Sequence, residues 1–495
     1  GIRQGVVHSA HRLAVRFLKA GVKTIVFARS RQRNELIAGY IRSSLANVFT
    51  ENSRIRVESY RGGYLPNERR AIEQGLRDGS IHGVVSTNAL ELGIDIGGLD
   101  ASILGGFPGT IASSLQQAGR AGRRQSESLA ILVASSSPLD QFVVEHPEYF
   151  LSRNPESAYV NPDNPYVLAD QLKCALFELP FSDDEGFPGP VDEYLALLEE
   201  NGVVRHSAGA WHWADRSYPA EHVSLRSATS DNVVIIDTTD GAHDVIGEMD
   251  RPSAKELIYD NAIYIHRGNQ HVVTNLDIDN RRCYVEQTDV NYFTDALVKR
   301  DVKVLVQDES STLFDSRVVT GDVLVRSVVS KFKKIRFNTH ENVGYGEVDV
   351  PEEQMHTRAA IVVFEPGTAA RDAFEALDGA ARPVALNRLG NLIRQVAPAY
   401  LMSAGQDLGA YESVKDPHFA EPAIYFYDRY PGGNGLTEAF LDAAPRILDA
   451  ALERVQSCSC ESGCPSCVGP KDPNEQFQGS PKEAVRQLLR GWLKT

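Results

Sequence analysis

The chain has 495 residues, 42% hydrophobic and 24% charged, with 51 Lys+Arg against 66 Asp+Glu and a formal net charge of −15. At roughly 100 to 200 residues per domain this length makes three or four domains, and the composition excludes a disordered tail, a collagen and a disulfide-stapled miniprotein. No segment approaches the ~18 uninterrupted apolar residues of a membrane span, and the N-terminal GIRQGVVHSAHRL lacks the order of a signal peptide, so a cytosolic address without a membrane partner is expected. Residues 1–150 carry 18 basic and 13 acidic side chains, a balance of +5 that leaves −20 for the rest. A basic front on an acidic chain fits a local phosphate or nucleic-acid site, because the local patch rather than the total charge steers a polyanion.

The front alternates helical and extended patterns. SAHRLAVRFLKAG and SRQRNELIAGYIRSSL have apolar residues at helical spacing, KTIVFAR and RIRVESY are β-branched runs, and NERRAIEQGLRDG, IHGVVST, ASILGG, IASSLQQAGRAGRR and SLAILVAS continue the alternation. Such an order predicts an α/β domain over 1–150 with a mostly parallel, buried sheet. In 151–230, NPYVLADQLKCALFELPF and VDEYLALLEENG read as helices, and Ala208-Gly209 separates two extended runs as a hairpin turn, which is the order of a winged helix. Residues 231–345 are strand-rich and predict a small barrel or sheet. Residues 346–495 mix a strand at RAAIVVFEP, helices near 387–404, a strand at AIYFYD, a Gly-rich turn and the helix GLTEAFLDAAPRILDAALERV, which runs into a cysteine cluster. The expected fold class is multidomain α/β and α+β: a parallel-sheet domain, a winged helix, a β-rich domain and a C-terminal four-Cys domain.

VVSTNALELGIDIGG (84–98) and QQAGRAGRR (116–124), together with TIVFARSR (24–31), resemble motifs V, VI and IV of the second RecA-like domain of superfamily 2 helicases in order and spacing. YRGGYLPNERR (60–70) falls where that family has a further nucleic-acid contact. The resemblance implies that Arg120 and Arg123 are catalytic. Three residues apart, they share a face if the stretch is helical, and a guanidinium there stabilises transition-state charge on a γ-phosphate as an arginine finger. It implies that Gly93, Asp95 and Gln117 lie at the nucleotide, and that Arg29, Ser30, Arg31, Tyr60, Arg61, Arg70 and Thr87 touch nucleic acid. Trp211 and Trp213 alternate on the proposed wing, hence share a face, where they either stack a base or fill the core. No phosphate-binding G-x-x-x-x-G-K-[ST] occurs, and the carboxylates Asp308-Glu309 come after motif VI, the wrong order for a Mg²⁺ site, so they read as a strand-ending turn. The first RecA-like domain, which brings ATP and Mg²⁺, is therefore expected as a partner from the same, longer polypeptide.

Cys458, Cys460, Cys464 and Cys467 lie within ten residues, with Gly463 and Pro465 turning the backbone. Four thiolates so close can surround one tetrahedral Zn²⁺, which is favoured over an iron–sulfur cluster or a redox pair. Cys174 and Cys283 are expected to be core thiols. AIYFYDRYPGGNGLTEAF followed by CSCESGCPSCVGP resembles the C-terminal zinc-binding domain of the MrfA-type mitomycin-repair helicases, a group that extends to SftH-like proteins. YDNAIYIHRGNQHVVTNLD (259–277) resembles the segment these proteins carry before that domain. The resemblance implies the C-terminal half of an ATP-dependent DNA helicase or translocase that moves 3′ to 5′ on single-stranded or tailed DNA, acts in DNA repair near the nucleoid, and is served by a repair nuclease as a possible partner. A non-catalytic zinc-containing binding module and an RNA helicase are the alternatives.

Overall fold

The computed structural model describes residues 5–46, 49–50, 53–92, 96–122, 127–156, 159, 161–223, 232–472 and 475–494. The N-terminal part contains α1 (Val6–Lys19), β1 (Thr24–Ala28), α2 (Arg31–Leu45), the two-residue strands β2 (Phe49–Thr50) and β3 (Ser53–Arg54), β4 (Val57–Tyr60), α3 (Pro66–Asp78), β5 (Gly83–Ser86), β6 (Ala101–Gly105), α4 (Ile111–Ala118) and β7 (Leu129–Val133). Its sheet runs β4-β5-β1-β6-β7 and is parallel throughout. The inner strands β1, β5 and β6 are buried throughout, which is why β1 reads as an apolar run, while the edge strand β7 is exposed to half-buried. Val26, Val85 and Ile103 pack under α1 and α2, while Ile25, Phe27 and Val84 pack with Ile72 and Leu76 of α3 on the other side.

Helices α5 (Pro138–Glu145) and α6 (Pro147–Ser152) lead to α7 (Pro165–Glu178), β8 (Phe181–Ser182), α8 (Val191–Glu200), β9 (Val204–Ser207) and β10 (Ala210–Trp213). The sheet order β8-β10-β9 and the turn at Ala208 and Gly209, both with positive φ, make the expected wing. Next come β11 (Asn232–Asp237), β12 (Asp244–Asp250), α9 (Arg251–Leu257), β13 (Ile263–His266), β14 (Asn269–Asp277) and β15 (Arg282–Thr288), in the sheet order β12-β11-β15-β14-β13.

Strands β16 (Tyr292–Leu313) and β17 (Ser316–Arg336) form one hairpin of 22 and 21 residues. Strand β18 (Asn342–Glu347) pairs beside β17, as does β19 (Glu353–Val363). Helices α10 (Ala369–Glu375), α11 (Ala381–Val396) and α12 (Pro398–Leu401), strands β20 (Leu408–Ser413) and β21 (Ala423–Asp428), and helices α13 (Leu436–Ser457) and α14 (Pro481–Leu493) complete the chain. The sheet β16-β17-β19-β21-β20 spans 292–428, so the division expected at residue 345 falls inside one sheet. At one end of the hairpin, Val329 and Phe332 join the core of the β11–β15 sheet; at the other, Leu313 and Val318 join α10–α14. Asp308 is not in a strand-ending turn: it lies within β16 at a register shift and pairs with Arg358, and the chain reverses only at Phe314-Asp315. Cys283 is fully buried, and burial pushes its thiol pKa up to about 12; Cys174 is half-buried. Among the described residues no helix is long and apolar enough to cross a membrane.

The Gly-rich turn after β21 has a structural explanation. Gly432 and Gly433 adopt φ of 74° and 76°, folding the chain so that buried Asp428 accepts from Asn434 N at 2.7 Å, Leu436 N at 3.4 Å and Thr437 Oγ1 at 2.9 Å. The carboxylate thus satisfies the orphan donors at the start of α13. Asn164, which caps α7, donates to Pro431 O at 2.8 Å and Gly433 O at 2.7 Å, tying the winged helix to the same turn. Asp428→Ala removes the acceptor of Asn434 N and Thr437 Oγ1, while Leu436 N keeps Asn434 Oδ1 at 3.3 Å, and is expected to cost roughly 1–3 kcal/mol of stability. Chemical denaturation checks this; a loss under about 0.5 kcal/mol would contradict the capping role.

Candidate nucleotide and nucleic-acid face and metal centre

In open parallel sheets, ligands gather at the carboxyl ends of the strands. Arg29 and Ser30 follow β1, and Thr87 follows its neighbour β5, so motifs IV and V meet at that edge. Arg29 is exposed at the surface, where its Nη1 lies 3.5 Å from Asp140 Oδ1; Ser30 caps α2 by accepting from Arg33 N at 3.2 Å; Thr87 is half-buried and donates from N to Tyr60 O at 3.3 Å. Arg70 is exposed on α3. Arg31 pairs with Asp250 at 3.1 Å.

A short turn at Asn88–Leu90 follows Thr87, and Glu91 after it meets motif VI. Helix α4 ends at Ala118 with Gly119 as its C-cap, so Arg120 lies on the following turn and not on a helical face as the spacing suggested. Arg120 donates from Nε at 3.0 Å and from Nη2 at 2.6 Å to Glu91 O. The Glu91 carboxylate accepts from Ser113 Oγ at 2.7 Å and Gln117 Nε2 at 2.9 Å. Gln117 is buried and its amide nitrogen also lies 3.4 Å from Ser113 Oγ, so it braces motif V against α4. Glu91 was not singled out from the sequence, although its place inside motif V was visible. Gly93, Asp95 and Arg123 lie outside the described residues.

Two expected nucleic-acid contacts are corrected. Tyr60 and Arg61 are each 1% exposed. Tyr60 donates from its hydroxyl to Glu73 at 2.7 Å, and Arg61 binds Glu35, Tyr264 and Ile265 O, so neither can reach a strand. Trp211 and Trp213 are half-buried against the winged-helix core of Leu172, Leu176, Phe181 and Leu195, and Trp213 meets Phe177 edge to face. Packing covers part of both indoles.

The four clustered cysteines come together as expected. Their sulfur atoms all lie within 4.8 Å of one another, with Cys458–Cys460, Cys458–Cys464 and Cys460–Cys467 at 3.5 Å and Cys464–Cys467 at 3.8 Å. A tetrahedron of Zn–S bonds of ~2.3 Å has edges of about 3.8 Å, so the donor set fits zinc. Gly463 has φ of 126°, and a Cβ there would lie 2.4 Å from Gly469 O; only glycine lets the loop close. Lys482 of α14 donates from Nζ to Cys458 O at 2.5 Å and Cys460 O at 2.7 Å, while Arg388 of α11 donates to Val468 O at 2.9 Å. Two helices therefore hold the ligand loop from outside, as outer partners orient metal ligands.

Comparison with known proteins agrees with this architecture. The helicase conserved C-terminal domain matches residues 9–125, the winged helix domain of ATP-dependent helicase HRQ1 matches 160–228, and the MrfA Zn-binding domain matches 389–468, including all four cysteines. The chain is 45% identical over 491 residues to YprA, an uncharacterised ATP-dependent helicase of Bacillus subtilis, covering 99% of this chain and 64% of YprA. To ATP-dependent helicase HRQ1 of Saccharomyces cerevisiae it is 29% identical, covering 94% of this chain and 44% of HRQ1. The crystal structure of the DUF1998 helicase MrfA bound to DNA is similar with a TM-score of 0.71 at 43% identity, over 99% of this chain and 64% of that one. A second MrfA structure, bound to DNA and AMPPNP, gives 0.70 at 43% identity. The chain thus spans under two thirds of the relatives it matches. By sequence and fold it belongs to the MrfA-type superfamily 2 helicases, and it corresponds to their second helicase domain, winged helix and zinc-binding domain.

Proposed function

We propose that the chain is the C-terminal part of an ATP-dependent DNA helicase or translocase that moves 3′ to 5′ on single-stranded DNA in DNA repair. The observation that carries this reading is the joint on Glu91: one residue holds the motif VI arginine through its carbonyl and the motif V–α4 packing through its carboxylate. A change at a nucleotide beside Arg120 is thereby felt along the segment that begins at Thr87, on the edge where Arg29 is presented. MrfA bound to DNA, so similar over nearly the whole of this chain, supports DNA as the polymer.

In this reading the phosphate-binding lysine and the Mg²⁺-holding carboxylate come from a first RecA-like domain of the same polypeptide. Arg120, Arg123 and Asp95 complete the nucleotide site from this side, and Arg29, Ser30, Arg70 and Thr87 track the DNA backbone. Zinc at Cys458, Cys460, Cys464 and Cys467 is structural. The chain by itself is expected to hydrolyse ATP at less than about a thousandth of the rate of the intact helicase, because phosphoryl transfer needs both sides of the cleft. Measuring DNA-stimulated ATPase of the chain and of the intact protein side by side tests this; robust turnover by the chain alone would sink the proposal. Competition between DNA and RNA strands of matched sequence separates a DNA motor from an RNA motor.

A further inference from the structure

The two segments YRGGYLP and AIYIHRGNQH, 200 residues apart, are the halves of one buried interface. Arg61 donates from Nε to Glu35 Oε1 at 3.0 Å, and from Nη2 to Tyr264 Oη at 2.9 Å and Ile265 O at 3.2 Å. Its guanidinium lies 4.7 Å from the Tyr64 ring centre and 5.3 Å from that of Tyr264. Glu35 also accepts from the Tyr64 hydroxyl and from Ser59 Oγ at 3.1 Å. Burial works against the charge on Arg61, but Tyr264, Glu35 and Tyr64 more than restore it, so its pKa is raised.

Around this centre the contact is extensive. Glu248 N donates to Gly63 O at 3.1 Å, Arg42 Nη1 to Arg267 O at 2.9 Å, and Gln32 Nε2 to Thr294 O at 2.8 Å. Arg267 Nη1 lies 3.3 Å from Glu68. Of the Arg61 nitrogens only Nη1 is buried without a hydrogen-bond partner; a buried charge otherwise held by several partners is costly to disturb, since one lost partner leaves the others unsatisfied. The residue before Arg61 is Tyr60, whose carbonyl accepts from Thr87 N at 3.3 Å and Asn34 Nδ2 at 2.7 Å.

We propose that Arg61 is a positioning residue that locks the β11–β15 sheet to the RecA-like sheet and, through Tyr60, sets the place of motif V. The two sheets then move as one body, and the motor's stroke is delivered to the β-rich part without a hinge between them; this mechanical consequence rests on the helicase reading, while the lock does not.

The test is hydrogen exchange of the chain with Tyr264→Phe, which removes one hydroxyl and keeps the ring, and with Arg61→Lys as a second variant. In either variant, amides of 58–66 and 84–92 are expected to exchange about tenfold faster than in the wild type, with α13 unchanged as the control. If faster exchange stays confined to 258–271, or if neither segment changes in a variant with wild-type circular dichroism, the lock is refuted. In the intact helicase, Tyr264→Phe is expected to lower base pairs opened per ATP about tenfold. Unwinding absent from the wild type would refute the helicase reading alone, and the exchange result would still decide the lock.

Discussion

Arg120→Ala in the intact helicase is expected to lower kcat about 10³-fold or more while nucleotide affinity changes far less, the signature of a group that meets charge formed in the transition state. The geometry makes the effect specific. The guanidinium is placed by two bonds to one carbonyl, Glu91 O, so a lysine, a point charge on a flexible stem, cannot reproduce the aim, and Arg120→Lys is expected to remain at least 10²-fold slow. Gln117→Ala supplies the internal comparison. It withdraws the amide that holds the Glu91 carboxylate and is expected to cost less, about tenfold, because the carbonyl that aims Arg120 stays in place. Steady-state kinetics on the three variants, with nucleotide binding measured separately, check the order. Near-wild-type kcat in Arg120→Ala would remove the arginine-finger role.

The second large effect is at the cysteines. Chelation of the metal, or Cys467→Ser at the most buried ligand, is expected to unfold the lobe around 458–482, because metal binding at such a site is folding free energy of roughly 10 kcal/mol or more. Elemental analysis should find about one zinc per wild-type chain and much less in the variant. Proteolysis should open new cleavage sites between α13 and α14. Iron with visible absorption in place of zinc would contradict the assignment, as would a thermal transition and protease pattern indifferent to chelation.

Much of this was legible in the sequence, for reasons that are physical. The RecA-like sheet announced itself because its inner strands are buried throughout, leaving β1 as an apolar run and a Val-Val pair at the centre of β5. The cysteine site was legible because its four ligands are local, within ten residues. What the sequence could not display were partnerships made over long distances. Arg61 sits in a polar, glycine-containing stretch that reads as a surface turn, and only Glu35 and Tyr264 explain why it is buried. Strand β16 carries Lys299, Arg300, Asp301, Lys303 and Asp308, a density of charge that breaks it into short pieces on paper; in the structure its pairing with β17, with register shifts, carries it through. The helical period through motif VI was real up to Ala118 and ends at the C-cap Gly119.

The long hairpin of β16 and β17 also decides how this chain can be divided. A cut at 345 would part β17 from β19, which pair from Arg317–Val363 to Ser327–Glu353, and leave each piece with a row of unmatched N–H and C=O groups along a largely apolar strand. Such edges recruit other strands. Residues 231–345 and 346–495 produced separately are therefore expected to aggregate, whereas the same two pieces produced together should recognise each other and recover one soluble body.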